Sequence, residues 1–197
     1  MKKLAVAVSL LVLLASSAGS TVRSDRDAAL DREEYEVYSA LILQSFIKNG
    51  TRLIIVTDPT CCDVSTISKD NLSLSLEQLS TLSQDTLENF IHRNKETTHL
   101  KRSFTLSVPY RVVDYKRIEK LFDMIELEKE WKTFYRWYPG SNGYIRLSRV
   151  GFNKARNQAL VSTGWMSGEL SGEGRYFLLS RNGSKWHVQG SVTTWVS

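Results

Sequence analysis

The chain has 197 residues, 42% of them hydrophobic, 24% charged and 10% aromatic, the balance of an ordinary globular protein. Its 11 glycines and 3 prolines exclude a collagen-like or low-complexity polymer, and a chain of this length buries roughly 70% of its unfolded surface in one domain. It therefore needs no metal or disulfide framework to fold.

Lys2 and Lys3 precede a run from Leu4 to Ala15 that is apolar except at Ser9, followed by the small residues Ser16 to Ser20. This is the pattern of a signal peptide, with Ser16 and Ala18 at the −3 and −1 positions. The run is too short to cross a hydrocarbon core of ~30 Å as a helix. We expect a signal peptide over residues 1–18, one α+β domain over residues 19–197, no transmembrane segment in the mature chain, and a periplasmic or secreted location. Removing residues 1–18 leaves 24 basic against 21 acidic residues, a net charge of +3. The densest basic stretch, from His92 to Arg102, lacks interleaved aromatics and reads as a solvated helix end rather than a nucleic-acid face. No nucleic-acid partner is expected, though weak attraction to anionic wall polymers or a membrane surface fits the charge.

Apolar residues from Leu30 to Ile47 recur at three- and four-residue steps, which predicts a helix over residues 27–48 ended by Asn49-Gly50. Leu53 to Val56 reads as a buried strand. The adjacent Cys61 and Cys62 are the only cysteines. Neighbouring Cα atoms lie about 3.8 Å apart, short of the usual disulfide range of roughly 4.4–6.8 Å, so a bridge between them is strained and a redox candidate. Buried thiols and a bridge between chains are the alternatives. A metal site with Asp58 and Asp63 lacks a nearby histidine, and neither metal nor cofactor is expected.

Two segments have capping-box form, Ser75 to Gln78 and Asp85 to Glu88; the second opens a helix with Leu87, Phe90 and Ile91 on one face. Residues 104–113 alternate as a strand interrupted by Pro109, and residues 115–138 return to helical spacing until Pro139-Gly140. Turn signals then separate β-rich runs at 144–152, 158–166, 175–181, 185–189 and 191–196. The expected fold is α+β, with N-terminal helices packed on one face of a C-terminal antiparallel β-meander. Asn182-Gly183 predicts a two-residue type I′ turn that sets Arg181 opposite Ser184 and Leu179 opposite Trp186. Phe177, Leu179, Trp186 and Val188 then share the core face, and Tyr176, Leu178, His187 and Gln189 the other.

No nucleophile elbow, P-loop, H-E-x-x-H or C-x-x-C is present. The glycines from Gly168 to Gly174 read as a turn rather than a phosphate cradle. Glu169 and Glu173 stand ~13 Å apart in extended chain, too far for a glycosidase pair. His92, His99 and His187 remain general-base candidates. Arg149 shares parity with Ile145 and Leu147, which aims its guanidinium along an apolar face toward a carboxylate partner or a ligand anion. Of the five tryptophans, Trp131 and Trp186 read as core, whereas Trp137 faces away from Phe134 and Tyr138.

Phe134-Tyr135, Tyr138-Pro139-Gly140-Ser141, the string Ser148-Arg149-Val150-Gly151-Phe152-Asn153, then Gln158 to Val161, Gly172-x-Gly174-x-Tyr176 and the final Trp195-Val196-Ser197 together resemble a group of small exported bacterial proteins of unassigned activity. The resemblance covers about residues 86–197. It implies a bacterial exported protein and carries no catalytic residue with it.

These features favour a non-catalytic envelope protein that binds a ligand or partner, on a surface formed by Trp137, Tyr138, Ser141, Arg149 and Asn153. The alternative is an envelope hydrolase acting on wall polymer or peptide through a carboxylate or histidine assembled by the fold. The export reading predicts a mature chain beginning between Gly19 and Ser24; an intact mass that retains Met1 in the exported fraction would contradict it.

Overall fold

The computed structural model describes residues 31–61, 76–123 and 127–197. The expected signal peptide, Cys62 and Ser75 lie outside them; the rest of the capping box expected at Ser75, Leu76 to Gln78, forms a turn, with Leu79 N–H donating to Leu76 O at 2.8 Å. Helix α1 (Arg32–Ser45) leads to strand β1 (Ile54–Asp58), then α2 (Gln84–Arg93), β2 (Tyr110–Asp114), α3 (Tyr115–Leu121) and α4 (Leu127–Trp137). Strands β3 (Tyr144–Leu147), β4 (Gly151–Phe152), β5 (Gln158–Gly168), β6 (Ser171–Asn182) and β7 (Lys185–Val196) follow. Among the described residues no helix is long and apolar enough to cross a membrane.

The fold is α+β, but the sheet is mixed. Its order is β2-β1-β3-β5-β6-β7, with β4 beside β5. Strands β3 and β4 are antiparallel to β5, and β5, β6 and β7 form the expected meander. Strand β1 instead runs parallel to both β2 and β3, because the chain returns from β1 to each of them through long helical connections.

The expectation of helices on one face is also corrected. Along β1, β3 and β5 alternate residues join different cores. Ile54, Val56, Ile145, Leu147, Ala159 and Val161 pack with Val37, Tyr38, Leu41 and Ile42 of α1. Their neighbours Ile55 and Tyr144 pack with Ile118 of α3 and Trp131 and Phe134 of α4, while Leu160 joins Leu87 and Phe90 of α2. Helices therefore cover both faces, which is why the strands carry apolar residues at successive positions. Gly151 lets α2 come close: a Cβ there would stand 2.4 Å from Phe90 Cβ. The glycine-rich segment is mostly paired strand, with β5 and β6 joined through Gly168 and Ser171. Gly174 makes room for the indole of Trp195, whose Nε1 would lie 2.0 Å from an added Cβ.

Several boundaries differ from the sequence reading: α1 ends at Ser45, the run 144–152 is split into β3 and β4, and the runs 185–189 and 191–196 are the single strand β7. Helix α2 starts after Ser83 rather than Asp85, whose carboxylate instead accepts from Lys154 N–H at 2.9 Å. Residues 104–109 keep their alternation, with Phe104, Leu106 and Val108 on the α1 side of the core, but pairing in β2 begins only at Tyr110. The long helix expected over 115–138 is two helices.

The last hairpin turns on Gly183-Ser184, with Asn182 opposite Lys185, Arg181 opposite Trp186 and Leu179 opposite Val188. Gly183 takes φ of 59° while Ser184 keeps negative φ, the pattern of a type II′ turn with glycine first. The turn thus demands positive φ of glycine alone and spares Asn182. From the turn to Leu179 each partner moves by two residues, so Leu179, Trp186 and Val188 keep their face; the register shifts between Leu178 and Leu179, beyond which Phe177 stands opposite Ser191. Phe177, Leu179 and Trp186 are buried on the α1 side as expected, and His187 is exposed. The opposite face is not solvent: Tyr176 and Leu178 are buried under α2. Truncating Trp186, 3% exposed, to Ala should cost roughly 3–5 kcal/mol in urea unfolding, and His187→Ala no more than about 0.5 kcal/mol; a near-neutral Trp186→Ala would refute the facing.

Candidate functional site

Helix α1 begins with a capping box. The Asp31 carboxylate accepts from Glu34 N–H at 2.9 Å, and Glu34 Oε2 accepts from Asp31 N–H at 3.3 Å. The Glu34 carboxylate, wholly buried, also leaves the helix to meet two arginines. Its Oε1 accepts from Arg149 Nε and from Val150 N–H, each at 3.1 Å. Its Oε2 accepts from Arg149 Nη2 at 3.0 Å and Arg93 Nη2 at 3.1 Å. Asn94 closes the other side, its amide accepting from Arg149 N–H at 2.7 Å and donating to Arg149 O at 3.0 Å.

Around this centre Asp31 and Glu33 face Arg156 and Arg181: Arg156 Nη2 lies 2.8 Å from Asp31, Arg156 Nε bonds Glu33, and Arg181 Nη1 lies 2.7 Å from Glu33. Burial would raise the Asp31 carboxyl, but the Glu34 N–H and the charges of Arg156 and Arg93 hold it below its ordinary value. Arg93 is thus part of the packed centre, not of a solvated helix end.

The residues expected to form one binding surface do not meet. Trp137 is 40% exposed, with the Arg117 guanidinium 5.0 Å from its ring centroid. Tyr138 is buried with Phe134. Ser141 closes the end of α4, its hydroxyl donating to Tyr138 O at 2.7 Å. These three sit together at the end of α4. Arg149 points the other way, into the Glu34 pair beneath α1. Asn153 closes the β4–β5 turn by accepting from Asn157 and Gln158 N–H at 2.9 and 3.0 Å. Cys61 is buried and disulfide-bonded. Among the described residues no three His, Cys, Asp or Glu side chains gather as a metal would require.

A groove of about 1000 Å³ runs along the outer side of α1, between residues 101–105 and the start of β7. The core takes Val37, Tyr38, Leu41 and Ile42, which leaves Tyr35, Ser39, Ala40 and Leu43 to line it. The Gln44 carboxamide fixes the far wall: it donates to Trp186 O and accepts from Val188 N–H, each at 3.1 Å, standing in for a neighbouring strand on the sheet edge. Ser39 is committed as well, donating to Tyr35 O at 2.6 Å and accepting from Thr105 N–H at 2.9 Å. Tyr35 is different. Its oxygen accepts from Lys101 N–H at 2.5 Å, and its own proton has no acceptor among the described residues. Burial raises the Tyr35 phenol above its ordinary value, so that proton stays in place as a donor.

Arg32, on the same rim, is paired with Glu36 at 3.2 Å. Lys101 and Lys185 also line the groove, and neither has a carboxylate partner among the described residues. A second concavity of about 980 Å³, between α4 and the β5–β6 turn, has part of its charged rim internally satisfied, Lys132 lying 2.7 Å from Glu128.

The remaining chemistry lies at the C-terminal ends of β1 and β2, where Asp58 stands opposite Asp114. His99 Nδ1 lies 2.9 Å from Asp58 Oδ2, and Asp58 Oδ1 accepts from Leu100 N–H at 2.6 Å. The hydrogen bond that His99 donates to Asp58, then the Asp58 charge, raise the His99 pKa above 6.5. A raised histidine pKa favours the folded state below about pH 6.5, and that contribution is lost as pH rises through the folded-state value. In an NMR titration His99 should titrate above 6.5, and Asp58→Asn should bring it back down; an unchanged His99 in the variant would contradict the pairing.

Reading the sequence missed Glu34, Tyr35, Lys101 and Lys185. The spacing Asp31-x-x-Glu34 is the one local signal that was available, and it marks only a helix start. Comparison with protein-family models, with curated proteins and with solved structures gives no match.

Proposed function

We propose that this chain is an exported envelope protein that binds a ligand or partner without transforming it, and that the α1 groove is the binding surface. The observation that carries this reading is the groove's composition. An aliphatic floor from Ala40 and Leu43 lies beside donors without a partner among the described residues: the Tyr35 hydroxyl proton and the Lys101 and Lys185 ammonium groups. The Tyr35 phenol, 5% exposed, accepts from Lys101 N–H, yet its own proton meets no acceptor among the described residues. Buried polar groups are ordinarily paired, so a spare donor in a groove with two lysines that lack a carboxylate partner among those residues supports a binding surface. The lysine-led leader and apolar run support export.

The second reading, an envelope hydrolase, rests on the His99–Asp58 pair. A carboxylate that holds Nδ1 orients the imidazole and leaves Nε2 for proton transfer. The His99 side chain is 86% exposed, and His99 lines neither of the two large concavities, which weighs toward the binding reading.

Both are tested with the purified full chain against fractionated envelope material. Leu43→Arg, which sets a charge on the groove floor at a position already 40% exposed, should reduce retention of the bound component at least about tenfold without changing the melting temperature, whereas Trp137→Ala should retain it. Retention unaffected by Leu43→Arg would contradict the groove. Turnover of wall polymer or peptide that His99→Ala abolishes would replace binding by hydrolysis.

A further inference from the structure

Resting on the reading of the groove as a binding surface, we infer that its occupant is an extended peptide segment carrying carboxylate side chains. Three observations lead there. The Ser103, Thr105 and Ser184 hydroxyls of the lining can donate or accept, but its charged groups are one-sided among the described residues: Lys101 and Lys185 have no carboxylate partner, the Tyr35 proton has no acceptor, and Glu36 is paired with Arg32. A ligand that satisfies them must bring acceptors and negative charge.

The apolar contact is aliphatic rather than aromatic. Apart from the small, exposed His187 imidazole, the rings of the groove are those of Tyr35 and Trp186, 5% and 3% exposed. Neither offers an open ring face on which a sugar or a base would stack. The accessible apolar atoms are those of Leu43 and Ala40, which suit aliphatic peptide side chains. The exposed rings of Trp137 and Trp195 belong to other parts of the molecule and line neither concavity.

The dimensions agree. From Tyr35 to Leu43 the helix rises ~12 Å at 1.5 Å per residue, the length of about four residues of extended chain at roughly 3.3 Å each. Alternation in such a segment would turn aliphatic side chains to Leu43 and carboxylates to the lysines on either wall.

The test uses the full chain labelled with ¹⁵N and three probes: the peptide acetyl-Glu-Leu-Glu-Leu-Glu-amide, its glutamine-for-glutamate analogue, and trigalacturonate. The acidic peptide should shift the backbone amides of Ser103, Thr105, Ser184 and Lys185. Its affinity should fall at least about tenfold with the glutamine analogue, and equally in the Lys101→Glu, Lys185→Glu double variant, whose melting temperature should be unchanged. Affinity should also weaken as salt is raised, because exposed charges are screened. Equal binding of both peptides, or unaltered binding to the double variant, would overturn the acidic-peptide assignment. Trigalacturonate shifting the groove amides while the peptide does not would overturn the peptide class and leave the groove as a binding surface. Failure of all three probes to move these amides would overturn the inference; the groove reading itself is then decided separately by the Leu43→Arg retention measurement.

Discussion

The Glu34 carboxylate is the group on which the arrangement turns. A carboxylate taken fully out of water loses several kcal/mol of solvation, and attraction to a partner offsets that only when its lone pairs are met with good geometry. Here both oxygens are met. Asp31 N–H, Val150 N–H and two guanidinium groups converge on them within 3.3 Å. These donors come from the start of α1, the end of α2 and the link between β3 and β4, so one side chain fixes two helices and the sheet relative to each other. Aliphatic packing has no such directionality. The apolar face of α1 would tolerate sliding and rotation on the sheet, whereas the forked contact between Glu34 and Arg149 selects one placement.

From that placement the groove follows. With Val37, Tyr38, Leu41 and Ile42 committed to the core, the adjoining stripe of α1 faces residues 101–105 and the start of β7. Gln44 then seals the strand edge at Trp186 and Val188, as edge strands generally require some cover. The same logic explains the opposite face. Gly151 lets α2 approach closely, which brings Arg93 within reach of Glu34 and Asn94 within reach of Arg149. The groove is thus a by-product of a docking geometry set by buried charge, and the donors on its walls are those the docking leaves unpaired among the described residues.

Much of this was legible in the sequence where the cause is local. Period-two and period-3.6 patterns placed the helices and the meander strands, and parity placed Phe177, Leu179 and Trp186 on one face even though the turn moved to Gly183-Ser184. Parity also aimed Arg149 inward, toward a carboxylate or a ligand anion, and Glu34 is the carboxylate it meets. What parity cannot supply is the partner, because Glu34 stands in the first turn of a helix, where acidic residues are favoured for the dipole alone. The parallel pairing of β1 was illegible for a similar reason: pairing partners lie far apart in the chain and leave no local mark. The surface expected from Trp137, Tyr138, Ser141, Arg149 and Asn153 is not contiguous, because Tyr138, Ser141, Arg149 and Asn153 are near in sequence but belong to a core, a helix end, an ion pair and a turn. The groove's own residues span from Arg32 to His187, and only folding brings them together.

The most direct measurement of the central claim is a double-mutant cycle on Glu34→Gln and Arg149→Gln, followed by urea unfolding. If the buried pair fixes α1 on the sheet, each single change leaves a charge uncompensated, and the double variant should be more stable than the sum of the two losses predicts, by a coupling of about 2–3 kcal/mol. Additive losses, with coupling below about 0.5 kcal/mol, would mean that aliphatic packing alone sets the position of α1, and the account of how the groove arises would be wrong.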